Sequence, residues 1–375
     1  MTWNIPLFKM YWDQDDIDTV NTALSSGMNW AVGPDVAQFE KDLAAYNGTK
    51  YCLTFNSGTS ALHVGLIAHG ISRGDEVIVP SFTFIATANA PKFVGARPVF
   101  ADIEESTLGL DPDSVTEKIT PKTKAIIPVH YGGCPCRIRE LREIAEDHDL
   151  VLIEDAAEAF GATIGGKMVG SYGDSAILSF CQNKVITTGE GGALITDSKD
   201  VYEKAKLVRS HGRLETSDYF SSSECMDYIT LGYNFRLSNI SAALGLAQLR
   251  KTEAIIDMRA RIAGMYTSQL RTKAPVVAPM CAPDGYKHVY QLYSVRVPER
   301  DNLMQFLSEH GIMTKIYFPP VHRTHYYRRK LGYRVSLPVT DRVANDIMSL
   351  PIYPGMPVED TEKVVQAISG YYGGN

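Results

Sequence analysis

Short apolar runs recur through the first half of the chain, separated by segments whose apolar residues repeat at helical spacing. Tyr51–Phe55, Glu76–Val79, Pro98–Asp102, Ala125–Val129, Val151–Glu154, Ala176–Phe180 and Ala193–Thr196 read as strands. Ala61–Ala68, Ile85–Phe93, Pro112–Ile119, Ile138–His148 and Asp200–Arg209 read as the intervening helices. Two further helical patterns precede the first strand, Asp15–Leu24 and Val36–Tyr46, with a Gly33-Pro34 break between them and Gly48 as a stop. Strands alternating with helices predict an α/β fold, a mostly parallel sheet covered on both faces.

The pattern changes after Arg209. Residues 213–230 are polar and irregular and predict a surface loop. A long helical pattern from Ile240 to about Leu270 leads to a smaller α/β unit: strand Tyr290–Val297, helix Asn302–His310, strand Met313–Tyr317 and a last helix Thr361–Ser369. We therefore expect a large lobe over residues 1–250 and a small C-terminal one over 251–375, and a length of 375 residues suits two lobes.

Composition narrows the classes. Hydrophobic content of 45% with 21% charged residues is that of an ordinary globular protein. A net charge of −6 with dispersed Lys and Arg gives no nucleic-acid footprint. The first residues lack a basic start followed by an apolar core, and no apolar stretch is long enough for a bilayer, so a cytoplasmic protein with no membrane partner is expected. Six cysteines in so long a chain do not make a disulfide scaffold. Cys134-Pro-Cys136 lacks a second ligand pair at zinc spacing, so no metal site is expected.

Candidate chemistry gathers between Leu150 and Thr196. The run ending at Ile153 is followed by Glu154-Asp155, and the run ending at Phe180 is followed by Lys184. Residues leaving buried strand ends reach a crevice, so Asp155 and Lys184 are expected to face one pocket from neighbouring strands. Such a pair is either a structural ion pair or the acid and lysine that pyridoxal phosphate (PLP) requires, one for its ring nitrogen and one for its aldehyde. Spacing alone leaves both open. Ser57-Gly58-Thr59, between a strand and a helix, is either a plain cap or a phosphate-binding helix start, and by itself reads as the cap. Phe84 at a strand end is either core or a stacking ring. His130, also at a strand end, has no assignment.

Two rival motifs fail. Gly161–Lys167 has the glycine and lysine spacing of a phosphate loop, but Met168 stands where a magnesium-binding Ser or Thr belongs. A dinucleotide fingerprint opening a helix after the first strand is absent.

The blocks SFCQNKVITTGEGG (residues 179–192), EDAAEAFGA (154–162) and Gly232-Tyr-Asn-Phe-Arg236 resemble those of the DegT/DnrJ/EryC1/StrS aminotransferases. The resemblance covers nearly the whole chain and implies a fold-type I PLP-dependent transferase. It implies that Lys184 binds PLP covalently, that Asp155 meets the ring nitrogen, and that Gly58, Thr59 and Ser179 hold the phosphate. It further implies Phe84 against the ring, Glu158 beside it, and Asn234 reaching the phosphate of a neighbouring subunit, so that a homodimer shares its active sites. Tyr317, His322 and Arg236 are weaker candidates for substrate contact, Tyr317–His322 being similar to the family's Pro-x-His segment. Thr83–Asn89, ITTGEGG and Glu158 resemble the perosamine-type branch. The implied substrates are L-glutamate and a nucleotide-linked 4-keto-6-deoxyhexose. Alternatives are another keto acceptor, such as a 3-keto sugar or cyclitol, and a non-catalytic regulator. Sugar dehydrases of the family carry His at the lysine position, and Lys184 argues against that branch.

Overall fold

The structure, a computed structural model, describes residues 3–214, 223, 225–276 and 284–373. Seven strands form the main sheet: β1 (Tyr51–Phe55), β2 (Glu76–Pro80), β3 (Arg97–Ala101), β4 (Thr123–Ile126), β5 (Val151–Asp155), β6 (Ser175–Ser179) and β7 (Gly192–Thr196). Their spatial order is β1-β7-β6-β5-β4-β2-β3. The pairs from β6 to β3 are all parallel, and β7 runs antiparallel to both of its neighbours. The sheet is therefore mostly parallel, with both faces buried, as the alternation of apolar runs and helices predicts.

Strand period sorts the core into two halves. Leu53, Val77, Val79, Ile153, Ile177 and Leu194 face one way, under the helices Gly58–Ala68, Ile85–Phe93 and Lys199–Arg209. Cys52, Ala176, Leu178 and Ile195, with Ile78, Ile126 and Leu152, face the other, under Pro34–Asn47, Ile138–Asp147 and Asn239–Arg250.

Several elements differ from the sequence reading. The long helical pattern after Ile240 is two helices, Asn239–Arg250 and Thr252–Lys273, with a non-helical turn at Lys251. There the Lys251 ammonium lies 2.7 Å from Asp16 and also meets Asp13, pinning the turn to the capping box of the helix Gln14–Ser25. The expected strand Met313–Tyr317 does not form. Its backbone divides its hydrogen bonds between Ile5 and Ser349, so neither partner builds a ladder. The phosphate-loop lookalike is a hairpin, Thr163–Ile164 against Lys167–Met168, and its turn glycines Gly165 and Gly166 take φ of 60° and 82°. Much of the polar segment 213–230 lies outside the described residues.

The second core surrounds the two-stranded sheet β8 (Tyr293–Arg296) and β9 (Ile347–Leu350), with helices Thr252–Lys273, Arg300–Glu309 and Val358–Gly373. Chain position and core membership part company twice. Ile5 packs into this second core, while Val321, Tyr327 and Leu337 pack into the first. Asp102, at the end of β3, accepts from the amides of Val339 and Thr340 and from the Thr340 hydroxyl, tying the two regions together. Among the described residues, no helix is long and apolar enough to cross a membrane, and no group of His, Cys, Asp or Glu is arranged to hold a metal.

Candidate active site

The candidate residues converge at the carboxyl ends of the parallel strands, where crevices open in such sheets. β1 ends at Phe55 and turns at once into the helix Gly58–Ala68, whose cap is Ser57, its hydroxyl accepting from the Ser60 amide at 3.1 Å. A helix start leaves its first amides without a partner in its own ladder, here those of Gly58 and Thr59. Because β7 is antiparallel, its first residue, Gly192, sits at this same edge, paired with Phe55 on one side and Ser179 on the other. A Cβ on Gly192 would stand 2.4 Å from the Gly58 nitrogen, so only glycine lets the strand approach the turn. A Cβ on Gly58 would stand 3.2 Å from that of Ser179. Gly58, Thr59 and Ser179 thus form one cradle of amide and hydroxyl donors.

The acid pair at the end of β5 splits its duties, since neighbouring residues of a strand point to opposite faces. Glu154 is fully buried and accepts from the amides of Gly170, Tyr172 and Gly173 at 2.6–2.7 Å, which makes it the anchor of that loop. It also receives Nε2–H of buried His130 at 2.9 Å. The Cys136 amide donates to Nδ1 of the same ring at 3.0 Å, which requires a lone pair there. The Glu154 charge favours a second proton on the ring, but Nδ1 is already an acceptor, so geometry selects the neutral Nε2–H form.

Asp155 faces the crevice side. Its Oδ2 accepts from the Thr87 hydroxyl at 2.7 Å and its Oδ1 from the Ala157 amide at 3.2 Å. Burial pushes its carboxyl above the ordinary carboxylate range, against the pull of the Thr87 and Ala157 hydrogen bonds and the Lys184 charge. Lys184 follows β6, in a loop folded back on Phe180 and Cys181. Its Nζ lies 3.4 Å from Oε1 of Glu158, and Glu158 is itself fixed by the Gly132 amide at 2.9 Å on its other oxygen. Lys184 and Glu158 are in contact, and both charges act on Asp155, so the three side chains lie near one another.

Phe84 stands at the mouth, 56% exposed and 5.6 Å from the Phe318 ring. So large an exposed aromatic at a strand end is available for stacking rather than spent on the core. Tyr317 is nearly buried. Burial and the nearby Glu158 charge raise its phenol, so it belongs to the wall of the site. His322 is buried, its Nδ1 2.7 Å from the Ser81 hydroxyl and its Nε2 3.3 Å from Asp341. Arg236 donates to the Ser210 hydroxyl at 2.9 Å and its backbone bridges Phe55, so it fastens the segment 231–237 to the edge of β1. Asn234 is bridged to Ser210 through its backbone and is exposed.

Sequence reasoning missed Thr83, Thr87, Gly132 and Gln291. Thr83 and Thr87, four residues apart at the start of a helix, were the readable signal for a paired hydroxyl contact. Gln291 donates to the Asn183 carbonyl beside Lys184 from far along the chain, and no local pattern announces such a contact.

A lysine amine and a buried carboxylate in one crevice, a cradle of donors at a helix start and an exposed aromatic face suit a flat phosphorylated pyridine aldehyde. The residues present fit PLP. Fold and site together define a fold-type I PLP-dependent aminotransferase. Residues 11–369 match the DegT/DnrJ/EryC1/StrS aminotransferase family, and the chain belongs to it. It is similar to a GDP-perosamine synthase of Caulobacter vibrioides, at 38% identity over 95% of each chain. It is also similar to the spore coat polysaccharide biosynthesis protein SpsC of Bacillus subtilis, at 36% identity over 98% of this chain and 96% of that one. Among solved structures, the aminotransferase TlmJ from Streptoalloteichus hindustanus superposes with a TM-score of 0.92, at 29% identity over 99% of each chain.

Proposed function

We propose that this enzyme moves an amino group from L-glutamate to a nucleotide-linked 4-keto-6-deoxyhexose, as a homodimer with shared active sites. The observation that carries the chemistry is the juxtaposition of Lys184, Glu158 and Asp155 at one crevice. Support for the acceptor class comes from the likeness, at 34–38% identity, to proteins named GDP-perosamine synthase.

PLP, when bound, supplies an aldehyde that condenses with amines and a protonated ring that withdraws electrons from the reacting carbon. The Lys184 amine is the covalent anchor. As a free amine, Lys184 would take the proton from the donor's α-carbon and deliver one to the carbon that is aminated. Glu158 Oε1, 3.4 Å from Nζ, holds the end of the Lys184 side chain in the site. Asp155 would face the ring nitrogen and keep its proton. Gly58 and Thr59 amides and the Ser179 hydroxyl would donate to the phosphate, joined by Asn234 of the partner subunit. Phe84 would cover the ring, and Tyr317 would bound the substrate side. The overall exchange balances as L-glutamate plus keto-sugar giving 2-oxoglutarate plus amino-sugar.

The test is to incubate the PLP-loaded enzyme with L-glutamate and a panel of nucleotide-linked 4-keto and 3-keto sugars and keto-cyclitols, following products by mass. A single mass gain for the keto-to-amine exchange with a 4-keto-6-deoxyhexose is expected. Amination confined to a 3-keto sugar or a cyclitol, or none with any acceptor, overturns the substrate reading.

A further inference from the structure

Asp155 is gripped from outside the crevice by a line of two hydroxyls. The Thr87 hydroxyl lies 2.7 Å from Asp155 Oδ2, and the Thr83 and Thr87 hydroxyls lie 2.9 Å apart. A carboxylate only accepts, so the Thr87 proton points at Asp155 and the Thr83 proton is the one between the two threonines. The direction of both bonds is therefore determined: Thr83 to Thr87 to Asp155. All three side chains are buried, with residual exposures of 2% for Thr83, 1% for Thr87 and 5% for Asp155. Water does not compete for these bonds. The two threonines flank Phe84, which caps the helix Ile85–Phe93, so the segment that presents the aromatic face also presents the relay.

We propose that Thr83 and Thr87 form a positioning relay that holds Asp155 as an oriented carboxylate for the ring nitrogen of the cofactor. This rests on the assignment of Asp155 to that nitrogen. Of the two oxygens, Oδ1 has one long bond to the Ala157 amide at 3.2 Å, whereas Oδ2 has the short one. Without Thr87 the carboxylate keeps a single weak donor in a site where burial already favours its neutral form. The charged groups that act on Asp155 are Lys184, which favours the carboxylate, and Glu158, which opposes it. The Thr87 proton works on the side of Lys184.

The experiment measures the affinity of apo-enzyme for PLP by spectroscopic titration between pH 5 and pH 9, roughly the range in which cofactor and carboxyl exchange protons. Thr87→Val keeps the shape and removes the donor, Thr87→Ser keeps the donor, Thr83→Val removes only the outer link, and Asp155→Asn is the reference. We expect Thr87→Val to raise Kd by about tenfold or more, the scale of one hydrogen bond to a charged group. Its acid limb should also move to higher pH, because Asp155 keeps its proton longer. Thr87→Ser should stay within about twofold of the native enzyme, and Thr83→Val should lie between Ser and Val at 87. Native Kd and native acid limb in Thr87→Val overturn the relay. So does a loss in Thr87→Ser equal to that in Thr87→Val, which would make the contact one of packing. If Asp155→Asn itself leaves Kd and its pH dependence unchanged, the assignment of Asp155 fails, and that result is distinct from failure of the relay alone.

Discussion

At the scale of single residues, the site sets a buried acid and an amine against each other without letting them neutralise outright. Lys184 keeps its ammonium against Glu158, not Asp155, at 3.4 Å. Asp155 is left with hydroxyl and amide donors. This division of labour explains why two carboxylates are present where one ion pair needs only one. Lys184→Ala removes the amine that carries the proton between carbons, and the expected loss of turnover is about 10²–10⁴-fold or more. Steady-state kinetics check it, with an unchanged melting temperature as the control for folding. Native turnover in that variant would remove Lys184 from the chemistry.

At the scale of elements, the site depends on how closely one strand start approaches one helix start. β7 begins at Gly192 because Phe55 and Ser179 take its backbone on either side, and that brings it against the Ser57-Gly58 turn. Gly192→Ala puts a methyl 2.4 Å from the Gly58 nitrogen and 2.5 Å from the Ser57 carbonyl carbon, both rigid backbone atoms. The strand or the helix start must then shift, at a cost of about 1–3 kcal/mol. The expected outcome is a lower melting temperature together with a Kd for PLP weakened by about tenfold, read by thermal unfolding and by titration of the apo-protein. A fall in melting temperature with native PLP affinity would separate this contact from the cradle. Gly192 was legible as part of a glycine cluster, but its reason was not. The residue it must avoid lies more than a hundred positions earlier, and no local pattern carries that information.

At the scale of the whole molecule, segments distant in the chain exchange between the two cores, and Phe84 packs against the Phe318 ring from the later half of the chain. The proposed sharing of sites between subunits has its own test. A Lys184→Ala chain co-assembled with an Asn234→Ala chain gives a mixed dimer. One of its sites combines the intact lysine of the second chain with the intact asparagine of the first. Recovery of turnover in the mixture above that of either variant alone is the expected result, measured after denaturation and refolding together. No recovery, with mixed dimers demonstrated by tagged pull-down, would confine Asn234 to its own subunit.

By itself the sequence determined the alternation of strands and helices, and with it the parallel sheet and its crevice side. Period and turn residues are local, and a buried sheet has few other ways to satisfy its backbone. It also placed Lys184, Asp155 and the Ser57-Gly58-Thr59 turn within a few positions of strand ends, while spacing alone left their roles open. Tertiary structure alone decided the partners. Glu154 turned out to anchor a loop while Asp155 faces the crevice, His322 was taken by Ser81 and Asp341, and Ile5 crossed to the second core. It likewise set Thr83 and Thr87 behind Asp155 and Gln291 behind the lysine loop. Several of those pairings join residues from about seventy to well over two hundred positions apart. They are fixed by which buried donors and acceptors the packed sheet brings within reach, a property of the folded geometry that the order of residues does not spell out.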